Sequence, residues 1–254
     1  MICNYLNTLS IAKQMIYPNW PNKNNLFSMM MCRDDQLESY KTFPENAVWL
    51  NQIHGDEVCN IDTTDTIQYS HFASTYELYK KNNVSEAIKS KLVAADASFT
   101  TKKNIACVVR TADCLPILVV NNDANWIAAI HAGWRGLLSG VIEKTLLNYK
   151  SSLADLNIWL GPAICQKHFT IGAEVRDEFL ASNPAYHSAF KPSLVEHNKW
   201  QGDLNHIASA KLIDLGVTNI YHSEQCTYCN SQLYDSYRRD NVNSGRLISL
   251  IWLI

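Results

Sequence analysis

Apolar residues recur along this chain in short runs separated by amphipathic stretches, a pattern typical of a mixed α/β protein. Eight runs rich in β-branched and aromatic residues predict strands, at 48–53, 92–100, 105–109, 117–120, 126–130, 158–160, 217–221 and 247–254. Three stretches between them show helical spacing: 134–149, 174–181 and a segment that begins at the N-cap residue Asp203 and ends at Gly216. We therefore expect one α/β domain that spans residues 1–254.

One polar segment interrupts this pattern at 62–91. It contains no repeat and no Pro/Ser-rich linker, so we interpret it as an insertion with a short helix at 76–81 and not as a domain boundary. Elsewhere no apolar run reaches the roughly 18 residues that a membrane span requires.

The composition argues against two classes of protein, disordered chains and nucleic-acid binders. Hydrophobic residues make up 47% of the chain, which is enough for a packed core and argues against a disordered protein. Lys and Arg number 22 against 24 Asp and Glu, and this net charge of −2 offers no basic excess for nucleic-acid phosphates. The N-terminus lacks the basic and apolar regions of a signal peptide, so we expect a cytoplasmic protein whose eight cysteines stay reduced.

Residues 108–136 hold the strongest chemical signal. Two apolar runs flank the polar turn at 121–125, which predicts a β-hairpin. A hairpin symmetric about Asn122 and Asp123 would pair Cys114 with His131. Directly opposed side chains have Cβ atoms about 4.5–5.5 Å apart, so a thiolate and an imidazole at these positions would reach one metal ion. A longer turn would shift this register.

His54 adds a third candidate ligand, because it follows an apolar run at the position where strand ends open into clefts. Three protein ligands, His54, Cys114 and His131, with a fourth position open are the pattern of a catalytic zinc site. Each of the three residues, taken singly, is more often a hydrogen-bonded core His or a packed Cys than a metal ligand.

Charged residues near this triad are candidate substrate contacts. The guanidinium groups of Arg110, Arg135 and Arg238 suit a phosphate or a carboxylate, although Arg238 also fits a solvated charge cluster. Asp113 adjoins Cys114 and is a candidate catalytic acid or a partner that orients an imidazole, and Asp56 is a second candidate for either role.

The segment 222–229 combines H-x-E with C-x-x-C, two signatures of zinc nucleobase deaminases. Here one residue separates them and the expected Pro is absent, so the two helices that carry these signatures cannot form. A lone C-x-x-C is a weak zinc signal. We interpret Cys226 and Cys229 as packed thiols in a loop.

The motifs NQIHGDEV, AADASFT, RTADCLPI, HAGWRG, GPAICQKHFTIGAEV and YDSYRRDNVNSGR follow one another over roughly residues 47–250. In this order they resemble the laccase-domain family, also called the multicopper polyphenol oxidoreductase laccase, bacterial purine nucleoside phosphorylase or peptidoglycan editing factor family. Two motifs depart from the family: its Tyr-Glu-Val-Gly is Phe-Thr-Ile-Gly at 169–172, and its Asp-Gly is Asp96 followed by Ala97.

The resemblance implies a single-domain αββα four-layer sandwich with a β-sandwich core. It also implies a Zn²⁺ site formed by His54, Cys114 and His131, the same triad that the spacing suggests. The implied activities are phosphorolysis of adenosine, inosine, guanosine and methylthioadenosine, and deamination of adenosine. Our leading hypothesis is therefore a zinc-dependent purine nucleoside phosphorylase with adenosine deaminase activity, whose partners are a nucleoside and phosphate.

Three alternatives stay open. Cys114 as nucleophile with His131 as base would make a cysteine amidase or hydrolase that edits peptidoglycan precursors. A metal- or nucleotide-binding module would bind without turnover. A polyphenol oxidoreductase would hold Cu²⁺ in the same site. A four-copper oxidase is not supported, because it needs about ten copper-binding histidines, largely in H-x-H pairs. This chain has eight histidines and no such pair.

Overall fold

A computed structural model describes residues 15–33, 43–65, 69–82 and 84–254. Within these ranges the strands are β1 (Leu26–Met31), β2 (Asn46–Val48), β3 (Val58–Asn60), β4 (Tyr69–His71), β5 (Ala97–Thr100), β6 (Ile105–Thr111), β7 (Leu115–Asn121), β8 (Ile127–Ala132), β9 (Leu156–Leu160), β10 (Thr170–Gly172), β11 (Phe190–Pro192), β12 (Lys199–Gly202), β13 (Asn219–His222) and β14 (Leu247–Leu253). The helices are α1 (Phe72–Lys80), α2 (Glu86–Lys89), α3 (Trp134–Ser139), α4 (Val141–Leu146), α5 (Ala173–Ser182), α6 (Leu204–Asp214) and α7 (Tyr237–Asp240). Residues 1–14, where we expect no signal peptide, and positions 66–68 and 83 of the predicted insertion lie outside the described residues.

These strands form two large sheets and one small one. The five-stranded sheet has the order β1-β14-β6-β2-β4, and the six-stranded sheet has the order β13-β9-β7-β8-β5-β3. A three-stranded sheet, β10-β12-β11, is a feature that the sequence analysis did not predict.

Both faces of strand β7 are apolar, and each face packs against a different layer. Leu118 and Val120 lie in a core between the two large sheets, whereas Ile117 and Val119 lie in a second core with residues of α3–α6. Successive strand residues point to opposite faces, so a continuous apolar run requires cover on both sides.

Strand β6 of the five-stranded sheet shows the same division. Cys107 and Val109 belong to the core between the sheets, whereas Ala106 and Val108 pack in a third core with side chains of α1. The layers therefore follow the order helix, sheet, sheet, helix, which agrees with the expected αββα sandwich.

The predicted β7–β8 hairpin forms, but the predicted register is wrong. His131 pairs with Pro116, two residues further along than the expected partner Cys114. Cys114 lies just before the first residue of β7 and is not part of the ladder.

A longer turn causes this shift. The side-chain Oδ1 of Asn121 accepts hydrogen bonds from the backbone N–H groups of Asn125 and Trp126, at 2.9 and 3.0 Å. These bonds replace ladder bonds near the tip and close a turn with Ala124 at a positive φ of 47°.

The predicted helix at 134–149 is divided in two. Gly140, with a left-handed φ of 97°, ends α3 and begins α4. Glycine adopts this conformation without the Cβ clash of other residues, and it redirects the chain. The apolar stripe survives the break, since Leu137, Val141, Ile142 and Leu146 are all buried.

Two other helices agree with the prediction. Helix α5 includes the predicted 174–181. Helix α6 begins after Asp203, whose side chain accepts a hydrogen bond from the backbone N–H of His206, and is followed by Gly216 at a φ of 87°. Among the described residues, no helix has the length and apolarity needed to cross a membrane.

The insertion at 62–91 carries more structure than the predicted short helix. Helix α1 begins at Phe72, earlier than expected, and buries Phe72, Tyr76 and Tyr79 in the core on the outer face of the five-stranded sheet. The insertion therefore supplies one of the two helical layers.

Candidate active site

The triad of candidate ligands comes from three separate segments, two loops and one strand end. His54 lies in the loop between β2 and β3, Cys114 in the turn between β6 and β7, and His131 near the end of β8. One donor atom from each residue lies within 4.8 Å of the other two, and the His54 and His131 rings meet edge to face with centroids 4.8 Å apart. Strand ends of the six-stranded sheet thus bring the three side chains together.

A buried carboxylate, Asp96, holds two of these segments in place. Its Oδ1 lies 2.8 Å from Nδ1 of His131 and accepts a hydrogen bond from the backbone N–H of His54 at 3.0 Å. Its Oδ2 accepts hydrogen bonds from the N–H groups of Ile53 and Gly55 at 3.2 and 2.7 Å. Because Asp96 occupies Nδ1 of His131, the Nε2 atom is left to face a ligand.

The sequence analysis assigned no role to Asp96. The signal was present, since an acid inside the predicted apolar strand 92–100 must be paired when it is buried. The Asp96 side chain is fully buried.

Helix α3 packs directly on the His54 loop through Gly136. A Cβ atom at Gly136 would lie 2.8 Å from the carbonyl oxygen of Gly55, which is closer than real Cβ contacts. The glycine therefore permits a backbone-to-backbone approach that brings the loop of His54 against the helix after His131.

The protonation states of Cys114 and His131 depend on each other. Burial disfavours the Cys114 thiolate, but the positive charge of His131 and the hydrogen bonds of both histidines outweigh burial and lower the pKa of Cys114 to about 6. Burial likewise disfavours the imidazolium of His131, and here Cys114 and Asp96 outweigh it and raise the pKa of His131 to about 9. Without a metal ion, the site therefore favours a thiolate–imidazolium pair.

The donor set fits a zinc ion. Two imidazole nitrogens and one thiolate sulfur are common Zn²⁺ ligands, and three of them leave a coordination position for water or substrate. His54 is exposed and His131 is buried, and both His54 and Cys114 line an adjoining cavity.

That cavity has a volume of about 270 Å³, and its wall includes His54 and Cys114. Aromatic side chains of Trp134, Phe169 and Tyr237 form part of the same wall. The cavity therefore combines metal ligands with flat apolar surfaces.

Two of the three predicted arginines line this cavity. The guanidinium of Arg135 lies over the Trp134 ring, 4.3 Å from its centroid. Arg238 is held through its own backbone, because its N–H donates to Oδ2 of Asp113 at 2.6 Å. Its Nη1 donates to the carbonyl oxygens of His168 and Thr170.

Arg110 lies elsewhere. It is not among the residues that line the cavity; its guanidinium donates to the carbonyl oxygen of Leu50 at 3.3 Å and lies over the ring of Tyr79. Burial lowers the pKa of Arg110 to about 10. Its position gives no support to the predicted phosphate contact.

Asp113 lines the cavity but has both carboxylate oxygens occupied. Oδ1 accepts from the hydroxyl of Thr227 at 2.6 Å, and Oδ2 accepts from the backbone of Arg238. These contacts suit a group that positions the Arg238 segment better than one that donates a proton. Asp56 pairs with Lys144, with 2.8 Å between Oδ2 and Nζ, and holds no imidazole.

Residues 29–254 match the protein family described as multi-copper polyphenol oxidoreductase laccase. A Haemophilus influenzae protein named purine nucleoside phosphorylase is 34% identical over 247 residues, which cover 94% of this chain and 99% of the relative. A Pseudomonas aeruginosa protein named purine nucleoside phosphorylase PA4543 is 40% identical over 170 residues, which cover 67% of this chain and 69% of the relative.

Solved structures show the same fold. Neisseria meningitidis protein NMB0706 has a TM-score of 0.75 and 29% identity, with 94% of this chain and 98% of that chain covered. A hypothetical Bacillus licheniformis protein, YfiH, has a TM-score of 0.73 at 22% identity, with 90% and 93% covered, and supports the fold alone. The resemblance expected from the motifs and the mixed α/β fold are both confirmed.

Proposed function

The chain belongs to the multi-copper polyphenol oxidoreductase laccase family, and on this premise we propose that it is a zinc-dependent purine nucleoside phosphorylase. One observation carries the proposal: two members of the triad of His54, Cys114 and His131, namely His54 and Cys114, line a cavity that also presents aromatic faces and two arginines. The name of the H. influenzae relative, which matches over nearly the whole chain, agrees with this activity.

The cavity wall matches the two substrates. Trp134, Phe169 and Tyr237 offer flat faces on which a purine can stack, and Arg135 and Arg238 offer guanidinium groups for phosphate oxygens. The volume of about 270 Å³ is close to the lower end of small-molecule sites, about 300–1,000 Å³.

Phosphorolysis then depends on positioning. A phosphate oxygen forms a bond to C1′ of the ribose while the glycosidic bond breaks, and the electron pair of that bond leaves with the base. Arg135 and Arg238 neutralise the phosphate and hold it against C1′. A proton follows the electron pair onto the base, and solvent reaches the cavity at the exposed side of His54 to supply it.

The metal would be held by His54, Cys114 and His131, with Asp96 orienting the His131 ring. When bound, Zn²⁺ would supply a Lewis acid at the triad end of the cavity. Cys114 meets the requirement that a zinc ligand be deprotonated, because its pKa lies near 6.

We also propose adenosine deamination at this site. The reaction consumes water in place of phosphate: a water oxygen bonds to C6 of adenine, the C6–N bond breaks, and ammonia leaves. Both reactions use the same base-binding faces, so the presence or absence of phosphate separates them.

The test pairs zinc analysis with an adenosine assay run with and without phosphate. We expect adenine and ribose 1-phosphate only when phosphate is present, and inosine with ammonia when it is absent. Cys114→Ala should lose this zinc site and more than about 100-fold in kcat/KM, since loss of an outer partner alone costs about 10–100-fold. Cys59→Ala is the control, because the Cys59 side chain is buried in the core between the sheets and is not a member of the triad.

An active Cys114→Ala protein without zinc at the triad would contradict the proposal. A wild-type protein that holds zinc there but turns over no nucleoside would do the same.

A cysteine amidase that acts on peptidoglycan precursors is the second candidate. The thiolate–imidazolium pair of Cys114 and His131 favours it, because such a pair is the form of a nucleophilic cysteine. A metal ion would occupy the thiolate, so amidase activity must rise when zinc is removed, whereas phosphorolysis must fall.

A polyphenol oxidoreductase with copper is the activity in the family description. The triad would bind Cu²⁺ more tightly than Zn²⁺ in raw affinity. Eight histidines without an H-x-H pair do not provide the ligands of a four-copper oxidase.

A further inference from the structure

A second cluster of sulfur and nitrogen atoms lies outside the triad. It brings together Cys165 and His168 from one loop with Cys226 and Cys229 from another, and one donor atom of each lies within 4.8 Å of the others. The Cys165 sulfur is 3.3 Å from Nδ1 of His168 and 4.0 Å from the Cys229 sulfur, and the Cys229 sulfur is 3.4 Å from the same Nδ1. The weak C-x-x-C signal thus finds its missing half in a C-x-x-H turn 61 residues earlier in the chain.

Backbone pairing holds the two turns side by side. Ala163 forms a parallel bridge with Cys226, in which its N–H donates to the carbonyl of Gln225 and its carbonyl accepts from the N–H of Thr227. Each turn also closes on itself: the N–H of His168 donates to the carbonyl of Cys165 at 2.9 Å, and the N–H of Asn230 donates to the carbonyl of Cys226 at 3.2 Å. The four side chains are therefore presented by fixed backbone and not by chance proximity.

The surroundings are those of a metal-bound thiolate. The Cys226 sulfur accepts hydrogen bonds from the backbone N–H groups of Cys165 and Cys229, at 3.3 and 3.4 Å. The ring of His168 stacks on Tyr228, with centroids 4.1 Å apart and 17° between the planes, which fixes the imidazole so that Nδ1 faces the sulfurs. Such outer contacts are what orient ligands around a metal ion.

We propose that Cys165, His168, Cys226 and Cys229 form a second, structural zinc site. A tetrahedral Zn²⁺ with Zn–S near 2.3 Å and Zn–N near 2.0 Å places its ligand atoms about 3.5–3.8 Å apart. The observed separations of 3.3, 3.4 and 4.0 Å bracket that spacing. Four protein ligands close the coordination shell, so this site differs from the triad, which leaves a position open. Three thiolates with one imidazole select zinc over magnesium, calcium or manganese.

The site would stabilise one wall of the cavity. Ile164 and Phe169, which line the cavity, flank the C-x-x-H turn on either side. Arg238 donates to the carbonyl of His168, so the phosphate-binding arginine rests on the same turn. Zinc at this position would join the two loops that carry these residues.

A disulfide is the rival use of these thiols. A disulfide would join two of the three sulfurs, and the third thiol and the His168 imidazole would take no part in it. A zinc ion would bind all four groups. The two possibilities predict different metal contents and different masses for the unreduced protein.

The experiment uses a variant in which the triad has lost its cysteine ligand, so that the second cluster is measured separately. Cys114→Ser protein, purified under reducing conditions and loaded with Zn²⁺, is analysed by elemental mass spectrometry after removal of loose metal. We expect about two zinc ions per wild-type chain, about one in Cys114→Ser, about one in Cys229→Ser and about none in the double variant. Cys59→Ala, which loses a thiol outside both clusters, should keep the wild-type content.

Cys229 is the variant of choice because it is the exposed member of the cluster, and circular dichroism checks that its substitution leaves the fold intact. Cys114→Ser protein without zinc overturns the proposal, as does a Cys165–Cys229 or Cys226–Cys229 disulfide in freshly purified protein. Failure of nucleoside phosphorolysis leaves this result unaffected, because no readout here is an activity.

X-ray absorption at the zinc edge gives a second measurement without any change in the cluster. The ion in Cys114→Ser should show about three sulfur neighbours and one nitrogen. A shell dominated by nitrogen and oxygen would contradict the assignment.

Discussion

At the scale of single residues, the candidate active site is organised by Asp96. Its two oxygens accept hydrogen bonds from three backbone N–H groups of the His54 loop and contact the ring of His131. One buried carboxylate therefore sets the positions of two ligands, one on a loop and one on a strand. The bond to His131 is among the contacts that lower the pKa of Asp96 in spite of its burial. This residue stays charged because its partners replace water.

Replacing Asp96 by Asn should weaken zinc binding at the triad by about 10–100-fold, because the amide no longer fixes the His131 tautomer or raises its basicity. Competition with a chelator measures the affinity. Asp56→Asn is the matched control, since Asp56 pairs with Lys144 at the surface and should leave the affinity unchanged. Equal affinities for wild type and Asp96→Asn would show that Asp96 does not support the metal.

The pH dependence of the Cys114 thiol offers a second prediction at this scale. Its pKa is lowered from 9.0 to about 6, so in zinc-stripped protein the thiolate forms as the pH rises through 6. Alkylation of Cys114 should rise roughly tenfold between about pH 5 and 7 and then level off. In His131→Gln the pKa of the Cys114 thiol should rise toward that of an ordinary thiol, so the alkylation rate should level off at a higher pH.

Peptide mass spectrometry after timed alkylation follows Cys114 separately from the other cysteines, and Cys114→Ser is the blank. A wild-type rate that still climbs steeply above pH 8 would contradict the thiolate–imidazolium pair.

At the scale of elements, the site depends on close contacts between connections and less on the hairpin itself. The β7–β8 register moves Cys114 out of the ladder, yet Cys114 still reaches His131, because the turn after β6 folds over the end of β8. Helix α3 then presses on the His54 loop at Gly136 and keeps the third ligand in place.

Gly136→Ala should lower zinc affinity at the triad by about tenfold or more, although alanine favours helices by about 1 kcal/mol over glycine. The added methyl group would meet the Gly55 carbonyl at 2.8 Å and displace the His54 loop. Ser139→Ala in the same helix is the control, because Ser139 is exposed and bonds only within α3. Zinc titration and denaturant melts of both variants test this, and a Gly136→Ala protein with normal affinity would refute it.

At the scale of the whole molecule, the residues that the structure describes form three apolar cores that alternate with the sheets and helices. The innermost lies between the two large sheets and is lined from both, with the helical layers outside. The candidate site lies at strand ends of the six-stranded sheet, away from this core, so fold stability and metal binding can be changed separately.

Leu118→Ala should therefore lower the free energy of unfolding by about 2–5 kcal/mol while zinc binding at the triad persists below the transition. Leu118 is fully buried between the sheets. Leu147→Ala, at a position 71% exposed, should change stability by less than about 0.5 kcal/mol. Denaturant titrations compare the two, and loss of zinc binding in folded Leu118→Ala would show that the site and the core are coupled.

Local pattern in the sequence determined much of this picture. Apolar runs located most strands of the two large sheets, the Asp203 cap and Gly216 bounded a helix, and motif order identified the family. Such features depend on residues close to one another in the chain, where periodicity and turn chemistry act.

Tertiary structure decided what pattern does not contain. The hairpin register depends on the side chain of Asn121, and the small third sheet is completed when β10 pairs with β12 on the far side of helix α5 in the chain. The guanidinium of Arg110 lies over the ring of Tyr79 in helix α1, although its position near Cys114 in the sequence suggested a phosphate contact. Above all, the two halves of the second cluster meet only because a β-bridge joins loops 61 residues apart. No local periodicity encodes a contact between segments so far apart in the chain.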